Sequence, residues 1–146
     1  MTDQPDVSSD LDARRTAALR KYMTALDAGD YPAIRSLFVD DGLVTSPFLG
    51  TMAAVEFFAK LELASSGNVI TPIDIFLSQA GADRAVAYFQ YHWTMADDSV
   101  VVFNVMDLFG FESGSDRFTK LDIIYDTHPI RAEHGDKYER LASDGS

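Results

Sequence analysis

Residues 84–111 read RAVAYFQYHWTMADDSVVVFNVMDLFGF, and this stretch decides the fold. Apolar and polar side chains alternate with a period of two on both sides of Asp97-Asp98, which is a turn signal. Such alternation is typical of β-strands, because successive side chains of a strand point to opposite faces of a sheet. The stretch therefore predicts an antiparallel hairpin with strands at Arg84–Met95 and Ser99–Phe111.

The same period continues beyond the hairpin, whereas the N-terminal part of the chain is helical. Apolar residues recur there at intervals of three and four, and Gly29 supplies a stop signal. Helices followed by a run of antiparallel strands indicate an α+β fold. The remaining predicted elements are a helix from Leu11 to Ala28, a short helix capped by Asp30, a strand at Leu43–Ser46, a helix after Gly50, and strands at Val69–Ser78 and Arg117–Asp126.

Composition excludes several classes of function. The chain has 146 residues, no cysteine and a net charge of −11, so nucleic acid and anionic membranes are unfavourable partners. It has no apolar run of membrane-spanning length, and its polar N-terminus MTDQPDVSSD predicts no signal peptide. We expect one cytoplasmic domain at residues 10–131, with flexible tails at 1–9 and 133–146. No metal-ligand spacing or nucleotide-binding loop is present, so we expect neither a metal nor a cofactor.

The amino-acid sequence of four segments resembles the SnoaL-like and ketosteroid isomerase families, which share the fold of nuclear transport factor two. The resemblance implies a cone-shaped, curved antiparallel sheet wrapped around the N-terminal helices, as in cystatin-like folds. It also implies a pocket for a small hydrophobic molecule. The segments are YMTALDAGDYPAIRSLFVDDGLVTSP (22–47), GTMAAVEFF (50–58), VMDLFGF (105–111) and LDIIYDTHPIR (121–131).

Three residues occupy functional positions of the isomerases by this resemblance. Tyr22 matches the tyrosine of the oxyanion hole, and Asp107 matches a carboxylic acid that stays neutral in an apolar site and donates a hydrogen bond. The position of the general base is occupied by Ser46, whose hydroxyl cannot abstract a proton from carbon unaided. The familiar isomerase route therefore does not follow from the resemblance.

The pairing of the strands predicts which side chains share a face with Asp107. Two- or four-residue turns centred on Asp97-Asp98 place Tyr88 opposite Asp107 and His92 opposite Phe103. A turn centred on Ser113-Gly114 places Lys120 opposite Asp107. This face combines ionisable side chains with aromatic ones, and we call it the mixed face. We expect it to form the pocket. The pocket residues predicted are Tyr22, Ser46, Phe48, Phe58, Tyr88, His92, Phe103, Asp107, Phe109, Lys120 and Asp122.

A second interpretation of the two faces stays open at this point. The opposite, apolar face carries Phe89, Tyr91 and Trp93 and would ordinarily pack on the helices, while a face with Lys, Asp and His would meet water. If the mixed face is instead the pocket, the apolar face needs another cover. In that case we expect a homodimer, with the apolar face as its interface.

These residues suggest an enzyme that moves protons on a small, largely apolar, oxygenated substrate of aromatic, terpenoid or polyketide type. His92, Asp122 or Lys120 would be the base, and Tyr22 and Asp107 would stabilise a developing negative oxygen. Dehydration, double-bond migration and retro-aldol cleavage all need this combination, which describes a cofactor-independent lyase or isomerase. The alternatives are an epoxide hydrolase in which Asp107 or Asp122 activates water, and a non-catalytic ligand-binding or dimerisation module.

Overall fold

A computed structural model describes residues 7–134 and shows four helices and six strands in this part of the chain. The helices are α1 (Val7–Ala28), α2 (Tyr31–Ser36), α3 (Ala54–Ala64) and α4 (His128–His134). The strands are β1 (Phe38–Ser46), β2 (Gly50–Ala53), β3 (Ser65–Leu77), β4 (Arg84–Met95), β5 (Val100–Phe111) and β6 (Phe118–Tyr125).

The predicted α+β class and curved sheet are confirmed. The six strands form one unclosed sheet in the order β2-β1-β6-β5-β4-β3. The pair β1–β6 is parallel, so the sheet is not wholly antiparallel as expected. Strand β2 and helix α4 were not predicted. Helix α1 begins at Val7 and α4 reaches His134, so both extend into the predicted tails, of which 1–6 and 135–146 lie outside the described residues.

The helices cover one face of the sheet, which we call the inner face. Strand β4 turns Ala85, Ala87, Phe89 and Tyr91 to this face, and all four are buried. Burial of these apolar side chains against the helices supplies the main driving force for folding. None of the helices within residues 7–134 is both long and apolar enough to cross a bilayer. The core residues of the helices include Leu19, Tyr22, Leu26, Ile34 and Phe58.

The pairing of β4 with β5 differs by one residue from the predicted pairing. Asp107 lies opposite Ala87, and Phe103 lies opposite Tyr91. The cause is a three-residue loop between Met95 and Ser99, in which Asp98 adopts a left-handed conformation with a φ of 67°. Loops of this length commonly end in such a residue, and a shift of one residue turns every side chain of a strand to the other face.

A second irregularity sets the pairing of β5 with β6. A four-residue loop separates Glu112 from Arg117, and the register then shifts between Gly110 and Phe111. Asp107 consequently lies opposite Ile123, while Lys120 lies opposite Gly110. The predicted opposition of Lys120 and Asp107 is therefore wrong.

The face opposite the helices, which we call the outer face, carries the remaining strand side chains. Neither predicted face is observed as a complete set. Asp107 on β5, which was predicted on the mixed face, lies inside. The apolar residues of β4 pack towards the helices, and the mixed-face residues of β4 and β6, such as His92 and Lys120, lie outside. Phe89, Tyr91 and Trp93 therefore cannot form the predicted dimer interface. Exposed residues of the outer face include His92, Val102, Met106, Lys120 and Ile124.

A buried arginine fixes α1 to the loops at one end of the sheet. The guanidinium group of Arg15 donates to Asp83 Oδ1 at 2.9 Å and to the carbonyl oxygen of Ser115 at 2.9 Å. It also lies 4.5 Å from the centre of the Phe111 ring. The planar, five-donor geometry of arginine suits such a set of acceptors, and lysine cannot reproduce it.

We expect Arg15→Lys to lower the free energy of unfolding by about 1.5–3 kcal/mol, because hydrogen bonds to a charged group are lost without loss of charge. Urea denaturation measures the change. The control is Arg14→Lys, since Arg14 forms an exposed pair with Asp10 at 3.2 Å; its cost should stay below about 0.5 kcal/mol. Equal losses in the two variants would contradict the role given to Arg15.

The homodimer stays a prediction. Because the helices cover the inner face, we expect the outer face to form the interface of such a dimer. Met106 lies beside Ile124 on adjacent strands, and both side chains are about half exposed, at 43% and 53%. If two copies associate there, Met106→Glu should convert a dimer to a monomer in sedimentation velocity, because it places charge in an apolar contact. Val55→Glu, on the exposed surface of α3, is the control. A monomeric parent protein would contradict the prediction.

Candidate active site

A cavity of about 370 Å³ lies between the inner face of the sheet and helices α1 and α3. Its wall is mainly aromatic and aliphatic, as is typical of sites for small apolar ligands. Phe48, Leu49 and Lys60 lie at the open end, which we call the mouth, since all three are exposed. The other lining residues are Tyr22, Leu26, Ser46, Phe57, Leu61, Ala64, Phe89, Tyr91, Trp93, Met95, Phe103, Val105, Asp107, Ile123, Tyr125 and Ile130.

Asp107 is the buried carboxyl group of this cavity, with 2% of its surface exposed. Strand β5 turns it inward between Val105 and Phe109, which are also buried. Its neighbours across the sheet are Ala87 and Ile123, which offer no polar group. Among residues 7–134, the Oδ1 atom of Asp107 has no hydrogen-bond partner. A buried oxygen of this kind can accept or donate a hydrogen bond to a ligand.

Burial raises the pKa of Asp107 from 3.8 to about 8. Removal of the charged form from water is the larger cause, and a hydrogen bond with Tyr22 opposes it by lowering the pKa. The group is therefore mostly a neutral carboxylic acid at pH 7. A pKa this close to neutrality suits an acid that gives up and regains a proton during a reaction.

Tyr22 contributes a second proton donor beside the carboxyl group. Its pKa is raised well above 10, first by burial and then by the charge of Asp107, so its hydroxyl stays protonated. The ring is held edge-on against Phe109, with centroids 4.9 Å apart, and against Phe58 at 6.3 Å. Aromatic contacts of this geometry fix the orientation of the ring.

Two other aromatic residues of the wall, Tyr91 and Trp93, have their polar atoms bonded to residues outside the cavity. The Tyr91 hydroxyl donates to Asn68 Oδ1 at 2.9 Å, and the Asn68 amide donates to the Leu26 carbonyl oxygen at 3.1 Å. Trp93 Nε1 donates to Ser65 Oγ at 2.8 Å. These bonds leave the ring surfaces of Tyr91 and Trp93 for contact with a ligand. Within residues 7–134, the Oδ1 atom of Asp107 is the buried lining atom without a hydrogen-bond partner.

The structure brings together only part of the predicted site. Tyr22, Ser46, Phe48, Phe103 and Asp107 line the cavity. Phe58 and Phe109 are fully buried behind Tyr22 as its ring contacts. Their predicted positions on the inner side of the fold agree with the structure, although their roles remain predictions.

Four predicted site residues lie on the outer face. His92 and Lys120 are exposed, and Asp122 forms an ion pair with Lys120 at 3.4 Å. Tyr88 accepts a hydrogen bond from Asn104 there at 3.4 Å. The pairing of β4 with β5 differs from the prediction by one residue, and that of β5 with β6 differs by three, since Lys120 lies opposite Gly110 instead of Asp107. None of the four residues can therefore reach a molecule held beside Asp107.

Several lining residues were not predicted from the sequence, notably Lys60, Tyr91, Trp93 and Tyr125. The signal for the last three was the uninterrupted apolar stripe of β4 and its partners, which was assigned to a dimer interface. The buried carboxyl group also affects Tyr125, because burial and then the charge of Asp107 raise the pKa of this tyrosine to about 12. Lys60 carried no signal of its own, because lysines on helices are ordinarily solvated.

The fold and the cavity together define a small cone-shaped domain that encloses an apolar pocket with one buried acid. The sequence profile of the SnoaL-like domain family matches residues 19–119, and the chain belongs to that family. The resemblance noted in the sequence is thereby confirmed. No curated protein matches the chain in sequence.

Solved structures with the same fold include proteins with different described roles. An NTF2-like protein of unknown function from Burkholderia pseudomallei is 18% identical, with a TM-score of 0.68 over 82% of this chain and 95% of its own. The epoxide hydrolase/cyclase-like enzyme SalBIII, described in pyran ring formation in salinomycin, is 15% identical, with a TM-score of 0.69 and coverages of 81% and 95%. An LEH-like epoxide hydrolase of M. tuberculosis is 14% identical, with a TM-score of 0.66 and coverages of 82% and 88%. At these identities the likeness concerns the fold.

The raised pKa of Asp107 links stability to pH. Between about pH 4 and 8 the native state holds one more proton than the unfolded state at this group, so the stabilisation is complete below about pH 4 and is lost as the pH rises through 8. Relative to that of Asp107→Asn, the free energy of unfolding of the parent protein should fall by up to about 1.4 kcal/mol per pH unit in this range. Urea denaturation of both proteins at several pH values gives the difference.

Asp41→Asn removes an exposed carboxylate and controls for the change in net charge. The difference in free energy of unfolding between the parent protein and Asp107→Asn could instead stay constant from pH 5 to pH 8. That result would mean that the carboxyl group is ionised in the native state at all these pH values.

Proposed function

We propose that this protein is a cofactor-independent lyase or isomerase in which Asp107 transfers a proton to and from a small, apolar, oxygenated substrate. The observation that supports this function is the neutral, incompletely bonded carboxyl group in an apolar cavity. A structural acid would ordinarily be fully hydrogen-bonded, because an unsatisfied buried polar atom costs about 1–3 kcal/mol. Groups with strongly displaced pKa values in clefts are frequent at functional sites.

Dehydration of an alcohol is the reaction that the arrangement supports best. The carboxyl group of Asp107 protonates the hydroxyl oxygen of the substrate, the carbon–oxygen bond breaks, and water leaves. The resulting carboxylate then takes a proton from the adjacent carbon, a carbon–carbon double bond forms, and the acid is restored. One carboxyl group thus serves as acid and base in turn. No second base is then required, which fits the position of His92, Asp122 and Lys120 on the outer face.

Tyr22 has the supporting role in this mechanism. Its hydroxyl donates a hydrogen bond towards the charge that develops on oxygen, either on the carboxylate of Asp107 or on an enolate of the substrate. Preorganised donors in a dry site stabilise such charge strongly. Double-bond migration and retro-aldol cleavage could use the same two residues, since both pass through a negatively charged oxygen.

Epoxide opening is the second candidate, because two structures with this fold are described as epoxide hydrolase-like. Asp107 would protonate the epoxide oxygen as the ring opens. Attack by water also needs a base, and the cavity wall within residues 7–134 holds no second carboxylate or histidine. This lack favours the lyase.

Binding can be measured before any substrate is known. Trp93 is the one tryptophan of the chain and lines the cavity, so its fluorescence should change when a ligand enters. We would titrate a panel of aryl and terpenoid alcohols, with the matching epoxides, and then analyse the mixtures for alkene and diol products by mass spectrometry. Saturable binding without turnover of any compound would favour a ligand-binding module instead.

For a compound that is turned over, we expect Asp107→Asn to lower kcat by about 10²- to 10⁴-fold, since the amide cannot transfer a proton. Tyr22→Phe should lower it by about 10²- to 10³-fold, the usual effect of one oxyanion donor. The kcat/KM of the parent should fall as the pH rises through about 8, because the protonated acid starts the reaction.

Asp122→Asn, on the outer face, is the control and should leave the rate unchanged. A rate that rises through pH 8 would make Asp107 the initial base and would contradict the order of proton transfers given above.

A further inference from the structure

Helix α3 turns one cation towards the cavity. Phe57, Lys60, Leu61 and Ala64 line the wall and follow one another at intervals of three, one and three residues, so they form a single stripe of the helix. The other members of the stripe are apolar. Among the lining residues, Lys60 is the one with a positive charge.

Lys60 also lacks the partner that its helix would offer. Glu56 lies four residues earlier, which is the favourable arrangement for an ion pair within a helix. Within residues 7–134, however, none of the ion pairs includes Lys60. The ammonium group is therefore available at the mouth of the cavity, while Asp107 lies at the buried end.

We propose that the substrate is an organic acid whose carboxylate pairs with Lys60 at the mouth while its reacting oxygen meets Asp107 at the buried end. This inference rests on the proposed function, because it takes the reacting end from that mechanism. An apolar body between the two oxygen functions would fill the aromatic part of the cavity. Hydroxy acids with an aryl or branched aliphatic body belong to this class.

The overall charge of the protein makes a local cation necessary for such a ligand. A net charge of −11 repels an anion at long range. Salt screens this repulsion over about 8 Å at physiological ionic strength, whereas a direct contact with an ammonium group persists at shorter distance. Lys60 can thus select an acid that the rest of the surface does not attract.

The test compares an acid with its neutral counterpart. We would measure the Kd of 3-hydroxy-3-phenylpropanoate and of its methyl ester by calorimetry. The parent protein should bind the acid about fivefold more tightly, as expected for a partly exposed ion pair. Lys60→Met should remove this preference without weakening the ester, and Lys60→Arg should retain it. Raising the salt to about 1 M should reduce the preference in the parent.

Lys21→Met is the matched control, since it removes an exposed lysine of α1 that does not line the cavity. The inference is overturned if the parent binds both compounds equally, if neither compound binds, or if both lysine variants weaken the acid to the same extent.

Asp107→Asn separates this inference from the proposed function. That variant should keep the preference for the acid while losing any turnover to cinnamate. A preference that depends on Lys60, with no turnover by the parent, would leave the carboxylate subsite standing and refute the lyase. Turnover that depends on Asp107, with no preference for the acid that depends on Lys60, would support the lyase and refute the carboxylate subsite.

Discussion

The desolvation of one carboxyl group is the constraint around which the inner face is arranged. Transfer of a charged carboxylate into an apolar cavity is so unfavourable that the group keeps its proton up to about pH 8. Strand β5 turns the protonated group inward, between apolar neighbours on the two adjacent strands. These neighbours are Ala87 on β4 and Ile123 on β6.

Two polar groups of the wall are bonded to residues outside the cavity rather than to that acid. Asn68 binds the Tyr91 hydroxyl and the end of α1 together, and Ser65 holds the indole of Trp93. Each bond satisfies a group that would otherwise compete for a ligand or admit water. The cost of the one unsatisfied oxygen must be met by the aromatic core and by the Arg15 contacts at the far end of the sheet. Storing such a cost at one position is characteristic of functional sites.

The elements of the fold could be predicted from sequence, because periodicity and stop signals act locally. The positions of Tyr22 and Asp107 on the inner side could also be predicted, since the resemblance carries them without reference to pairing. The faces of His92, Lys120 and Asp122 could not. Their assignment depended on loop length and on the absence of a bulge. The loop that ends in the left-handed Asp98 moves the pairing of β4 with β5 by one residue. The position of the next turn and the register shift beside Gly110 together move the pairing of β5 with β6 by three.

The two irregularities that defeated the pairing argument also give the cavity its chemical character. With the predicted register, a lysine and a second aspartate would have faced Asp107, and an ion pair would have kept it charged. In the observed register those charges meet each other on the outer face, at 3.4 Å, where water screens them. The cavity keeps one carboxyl group at its buried end, on the inner face, and one cation at its mouth, on α3. A neutral acid at pH 7 is therefore a consequence of strand register. The loop after Met95 and the bulge beside Gly110 decide which carboxyl group is buried, and burial keeps that group protonated.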